Sequence, residues 1–129
     1  MAKSGSGLSK QYLYLDGVTS RDLRLALVTR ENIVKHKVVA EGTRTEKLLP
    51  AIAAFVPKGG VSGIIVAQGG GSFSQARIVC TVANALAYGW GIKVVGVKST
   101  LTLEQVGKKL PKFKWQRLVL PKYSGPGVR

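Results

Sequence analysis

The chain holds few side chains able to do covalent chemistry, and their spacing narrows the choice further. Asp16, Asp22, Glu31, Glu41, Glu46 and Glu104 are its whole acidic complement. Hydrolysis by paired metal ions needs carboxylates clustered around those ions. These six are scattered along the chain and form no convincing cluster. His36 is the single histidine, set between Lys35 and Lys37, and makes a poor metal site alone. No metal site is expected. Cys80 is also single, which excludes an internal disulfide, and no base lies near it in sequence to activate it as a nucleophile. One stretch keeps a chemical option open. Gly69-Gly70-Gly71-Ser72 follows an apolar run, Val61 to Ala67, and precedes a helical pattern. Such a turn can cradle a phosphate at the helix N-terminus. It lacks the G-K-[ST] ending of a P-loop, and a turn that merely lets strand and helix pack is the alternative. Gly70, Gly71 and Ser72 are the candidate nucleotide contacts.

The elements around this stretch must position it. The glycines permit a tight turn, and Ser72 or Ser74 can cap the following helix, which runs to Trp90. At helical spacing Val79, Val82 and Leu86 share one face, suited to packing on a sheet. Ala76, Cys80, Ala83 and Ala87 share a neighbouring face of small residues. Arg77, Thr81, Asn84 and Tyr88 form a polar strip. A second stripe of small residues suits close approach by another helix, from this chain or from a partner. Burial within the chain's own domain is the plainer alternative.

Upstream, Gln11–Leu15, Leu23–Val28 and Ile33–Ala40 read as three strands of an antiparallel meander. Lys35, His36 and Lys37 at the centre of the third place it at or near a sheet edge. Thr45–Phe55 reads as a helix, with Leu48, Leu49, Ile52 and Phe55 at helical spacing and Pro50 marking its start or a bend. Ile92–Val97 reads as a last apolar strand. The order β-β-β-α-β-α-β is that of an α/β, ribonuclease-H-like lobe of the actin/hexokinase/Hsp70 class. Residues 1–10 read as a flexible leader, 11–99 as the lobe and 100–129 as a basic C-terminal segment. In that segment, Leu101–Leu110 is expected to be a short helix and Trp115–Leu120 a strand.

Charge is the strongest compositional fact. Twenty Lys and Arg against six Asp and Glu give a formal net charge of +14, which favours a polyanion or an acidic protein as partner. Lys108, Lys109, Lys112, Lys114 and Arg117 are the candidate RNA contacts, with Phe113, Trp115 and Tyr123 interleaved. Basic residues can grip phosphates while aromatics stack on bases. Alternatively, the aromatics pack on the domain and the cations stay solvated. No signal peptide fits the start and no apolar run is long enough to span a membrane, so a cytoplasmic protein is expected.

The motifs resemble those of the TsaB (YeaZ) family, relatives of the TsaD glycoprotease-like proteins. Its mark is a strand followed by G-P-G-S-F-T-G-x-R-I-G. Gly69, Gly71, Ser72, Phe73, Arg77 and Ile78 match, and Ser74 replaces the threonine. Gly70 stands in place of the proline, and Gln75 and Val79 in place of glycines. Glu46-Lys47-Leu48-Leu49-Pro50 resembles the family's E-x-L-L-P, and Val95-Gly96-Val97-Lys98-Ser99 its V-G-V-x-S. Asp16 stands where the family has an aspartate after its first strand, and joins the candidate nucleotide contacts. Leu120-Pro121-Lys122-Tyr123 resembles the closing P-x-Y strand, so most of a second lobe is expected to be missing between residue 99 and that motif.

The resemblance implies a non-catalytic subunit that binds a TsaD-type partner through a bundle of helices. Together with a TsaE-type ATPase, the pair supports transfer of a threonylcarbamoyl group to the adenosine beside the tRNA anticodon. The expected interface is Glu46, Leu49, Ile52, Phe73, Ala76, Arg77, Cys80, Ala83, Asn84 and Ala87. A homodimer through the same helices is a further expectation. No cofactor is expected on this chain, with ATP entering only in the partner complex. The rival expectation is an RNA- or tRNA-binding module working through its basic C-terminal segment.

Overall fold

The computed structural model describes residues 10–18, 22–39, 45–69 and 73–120, without the side chains of residues 45, 46 and 73–76. Strands β1 (Tyr12–Asp16), β2 (Leu23–Val28) and β3 (Ile33–Val39) form the expected antiparallel meander. The β2–β3 connection is tied by Thr29, whose Oγ1 accepts from the N–H groups of Glu31 (3.2 Å) and Asn32 (2.9 Å). Such a side-chain turn lets a strand reverse without glycine.

Strand β4 (Gly63–Gln68) pairs parallel to β1, and β5 (Lys93–Lys98) parallel to β4. Parallel strands need long crossovers, supplied here by helices α1 (Thr45–Phe55) and α2 (Phe73–Trp90). The sheet order is β3-β2-β1-β4-β5. This is the ribonuclease-H-like arrangement that the element order implies. Pro50 lies inside α1 rather than at its start. Gly91, at φ +68°, ends α2, and the Ile92 N–H donates back to the Ala87 carbonyl at 2.9 Å.

Strand alternation divides the core into two layers. Leu13, Leu15, Leu25, Leu27, Ile64, Val66 and Val94 share one buried cluster with residues of α1 and α2. Tyr14, Ala26, Val28, Ile65, Ala67, Val95 and Val97 face the other way, towards helix α3 (Leu103–Lys109). A capping box between Thr102 and Gln105 starts α3, and a 3-10 turn (Leu110–Lys112) follows it.

The expected strand over Trp115–Leu120 is reduced to one antiparallel bridge, Val94 with Gln116, bonded both ways at 2.8 Å. Even so, Val106, Leu110 and Val119 are all buried. The described part of the basic segment is thus built into the lobe rather than appended to it.

Tyr14 gives this core a pH signature. Burial first, then the Asp16 carboxylate, pushes its phenol up to about 12, with Arg24 opposing. In the unfolded chain a phenol ionises near pH ~10. Stability contributed by neutral Tyr14 is therefore complete below that pH and is lost as pH rises to about 12. A loss of about 3 kcal/mol across this window is expected, read by urea titration at stepped pH. Tyr14→Phe is expected to remove that portion of the alkaline destabilisation.

Candidate partner interface

Helix α2 decides which surface the lobe offers. Val79 and Val82 are buried, as expected for a face on the sheet. Cys80, Ala83 and Ala87 are buried as well, in the same cluster as the strands and Val119. Cys80, Ala83 and Ala87 of the small-residue stripe therefore pack within this chain, in a cluster that holds residues of both the sheet and α1. Ile52 of α1 is likewise fully buried. These four residues, each at most 3 % exposed, have too little accessible surface to pack against a partner and leave the candidate interface.

The outward arc of α2 is the one its polar residues marked. Arg77, Ile78, Thr81, Ala85 and Tyr88 are exposed, Tyr88 at 90 % and Ile78 at 38 %. On α1, Leu49 and Ala53 are exposed beside the buried Leu48 and Ile52. Both helices cover the same face of the sheet, so these residues form its outer layer. Leu49 and Arg77 thus stay in the candidate interface, and Ile78, Ala85 and Tyr88 join it. Their signal was legible in the helical spacing of residues 78, 81, 85 and 88. The side chains of Glu46, Phe73 and Ala76 lie outside the described residues.

Asn84 has a different task. Its Nδ2 donates to the Val119 carbonyl and its Oδ1 accepts the Val119 N–H, both at 2.8 Å. The amide thus imitates a neighbouring strand and clamps the C-terminal segment onto α2. Gln68 adds a bond from Nε2 to the Leu120 carbonyl at 2.6 Å. Asn84 thus serves its own chain through these two bonds.

The candidate nucleotide contacts are only partly in view. Gly70, Gly71 and Ser72 lie outside the described residues. Gly69 has φ +85°, which fits its place at the turn. Ser99 ties that turn to the end of β5: its Oγ donates to the Gly69 carbonyl at 3.0 Å and its N–H to the Gln68 carbonyl at 3.1 Å. Two of the sequence motifs therefore meet in space. Asp16 is buried at the end of β1, with Oδ1 accepting the Val18 N–H at 2.9 Å. Asp16 and Gly69 leave the carboxyl ends of adjacent parallel strands, where open α/β sheets bind ligands.

Burial pushes the Cys80 thiol up, against a hydrogen bond from Gln68, which opposes the nucleophilic thiolate form. Among the described residues no group of three His, Cys, Asp or Glu side chains could hold a metal ion. No helix among them is long and apolar enough to cross a membrane.

Lys108, Lys109, Lys112, Lys114 and Arg117 are all exposed, and no acidic residue interrupts them. The aromatics between them are otherwise engaged. Trp115 stacks on Tyr12 with ring centroids 5.3 Å apart, and meets Phe113 edge-on at 6.1 Å. A Cβ on Gly63 would lie 2.7 Å from the Trp115 ring, so glycine makes room for the indole. Phe113 and Trp115 pack on the domain while the cations face solvent. Tyr123 lies outside the described residues.

Comparison with known proteins gives a structural match only. No family profile and no curated protein matches the chain. Among solved structures, it is similar to YeaZ from Pseudomonas aeruginosa, with a TM-score of 0.53 and 24 % sequence identity over 69 % of this chain and 44 % of that one. A second structure, an uncharacterized protein with similarity to peptidase YeaZ from Pseudomonas aeruginosa, matches with the same TM-score and identity over 69 % and 43 %. The chain thus spans less than half the length of these structures, and what they share with it is the fold.

Proposed function

We propose that this chain is a TsaB-like scaffold that binds a TsaD-type subunit through the outer face of α1 and α2. In this reading it does no chemistry. It supports threonylcarbamoylation of tRNA by holding the catalytic subunit, with a TsaE-type ATPase joining the larger complex. The observation that carries the proposal is the exposed arc of Leu49, Ile78, Ala85 and Tyr88 on a lobe sharing the YeaZ fold. Apolar side chains spaced along two neighbouring helices suit packing against a partner's helices, and Arg77 lies beside them on the same arc. The ordered sequence motifs support the same family.

Light scattering after size exclusion tests this on an equimolar mixture with the TsaD-like subunit from the same source. A one-to-one complex, displacing any homodimer, is the expected result. No complex, with or without ATP, would contradict it. The exposed cations from Lys108 to Arg117 favour one rival reading, an RNA-binding module. That reading requires tRNA affinity that falls steeply with salt, and that falls further when these residues become alanine.

A further inference from the structure

The edge strand β3 differs from the rest of the sheet in being almost uncovered. Six of its seven residues are exposed, and only Val39 is buried. Val34 and Val38 are 46 % and 49 % exposed, and Ile33 is exposed with them. Natural edge strands are guarded by charge, by proline or by covering elements, and Lys35 and Lys37 guard β3 against a strand of like charge. Exposed β-branched residues do the opposite, because they favour pairing with another strand. Among the described residues, no backbone hydrogen bond leaves β3 on the side away from β2.

The two faces of β3 carry different chemistry. Lys35 and Lys37 sit opposite Leu27 and Leu25, on the face that α1 covers, and the Lys35 ammonium lies 4.7 Å from the Phe55 ring centre. His36 and Val38 sit opposite Ala26 and Arg24, on the other face. A bulge then returns Ile33 to the face of Val28. A strand added at this edge would meet two lysines on one face and, on the other, Val38 and Ile33 with His36 between them. We infer that β3 accepts an extended segment of another protein in which acidic and β-branched apolar residues alternate. The acidic residues would lie beside Lys35 and Lys37, and the apolar ones beside Val38 and Ile33. A second copy of this chain is a poor occupant. Antiparallel pairing centred on His36 sets Lys35 against Lys37 twice, and like charges placed opposite are destabilising. Charge therefore selects an acidic strand, added by main-chain hydrogen bonding.

The test uses a fluorescent peptide as long as β3 that alternates glutamate and valine, titrated with the full chain by anisotropy. A block-ordered peptide of the same composition controls for the general attraction of a basic protein. The alternating peptide is expected to bind at least about tenfold more tightly than the block peptide, the scale of a few paired side chains. N-methylation of alternate residues along its pairing edge should abolish that advantage without altering either charge or protein. Lys35→Glu/Lys37→Glu, with its fold checked by circular dichroism, should abolish it too, and Lys37→Glu alone should weaken it. Equal binding of the two peptides would overturn the inference, as would tight binding that survives N-methylation. Self-association of the chain that competes with the alternating peptide for binding would also overturn it, by making a second copy the occupant.

Discussion

Ala83→Arg is expected to unfold the protein, whereas Ala85→Arg, one position beyond its neighbour, is expected to leave it folded. Ala83 has no accessible surface and shares a cluster with the sheet, whereas Ala85 is exposed. Arginine at the buried site must either carry an unpaired charge into the core or force α2 off the sheet. Breaking into a core with a charge costs several kcal/mol, against a total stability of roughly 5–15 kcal/mol for a domain. On the outer arc the same side chain reaches solvent, and its cost to stability is expected within about 0.5 kcal/mol. Its effect belongs to binding instead, because it places a long cation where a partner helix would pack. Circular dichroism melts of the two variants check the first half, and co-elution with the TsaD-type subunit checks the second. Similar melting of both would show that α2 does not lie as described.

Asn84→Leu is expected to release the C-terminal segment from α2. Both amide groups of Asn84 are bonded to the backbone of Val119, which is itself buried. Leucine would leave a partly buried N–H and a partly buried carbonyl without partners, at up to about 1–3 kcal/mol each. The loss is too large for so short a segment to absorb, so residues near Gln116 and Val119 should detach before the lobe melts. Their amide exchange is expected to rise by about tenfold or more, each factor of ten being 1.4 kcal/mol. Asn84→Asp keeps the acceptor for the Val119 N–H but loses the donor, and should fall between wild type and Asn84→Leu. Trp115 reports the same event, since its stack on Tyr12 lies in the detaching segment.

These predictions rest on long-range features that the sequence could not display. Strand β4 was legible because Ile64-Ile65-Val66 is too apolar for anything but burial on both faces. Strand β3 was legible as an edge because its centre is charged. The outer arc of α2 could also be read, from the polar residues that mark it. The small-residue face could not be assigned, because alanines permit close approach by a helix and by a sheet alike. Here the chain's own core took them, and Cys80, Ala83 and Ala87 are buried in one cluster with the sheet and α1. The clamp from Asn84 to Val119 joins residues far apart in sequence, and an asparagine in a helix gives no local sign of its partner. The bond from Ser99 to Gly69 is similar. Each residue stood out as part of a motif, yet only the parallel pairing of β4 and β5 brings them together.

Hydrogen–deuterium exchange of the chain, alone and with the TsaD-type subunit, tests the central claim most directly. The scaffold reading predicts slower exchange across α1 and α2 in the complex, strongest around Leu49, Ile78, Ala85 and Tyr88, with the segment from Lys108 to Arg117 unchanged. Protection confined to that basic segment, or no protection anywhere, would contradict it.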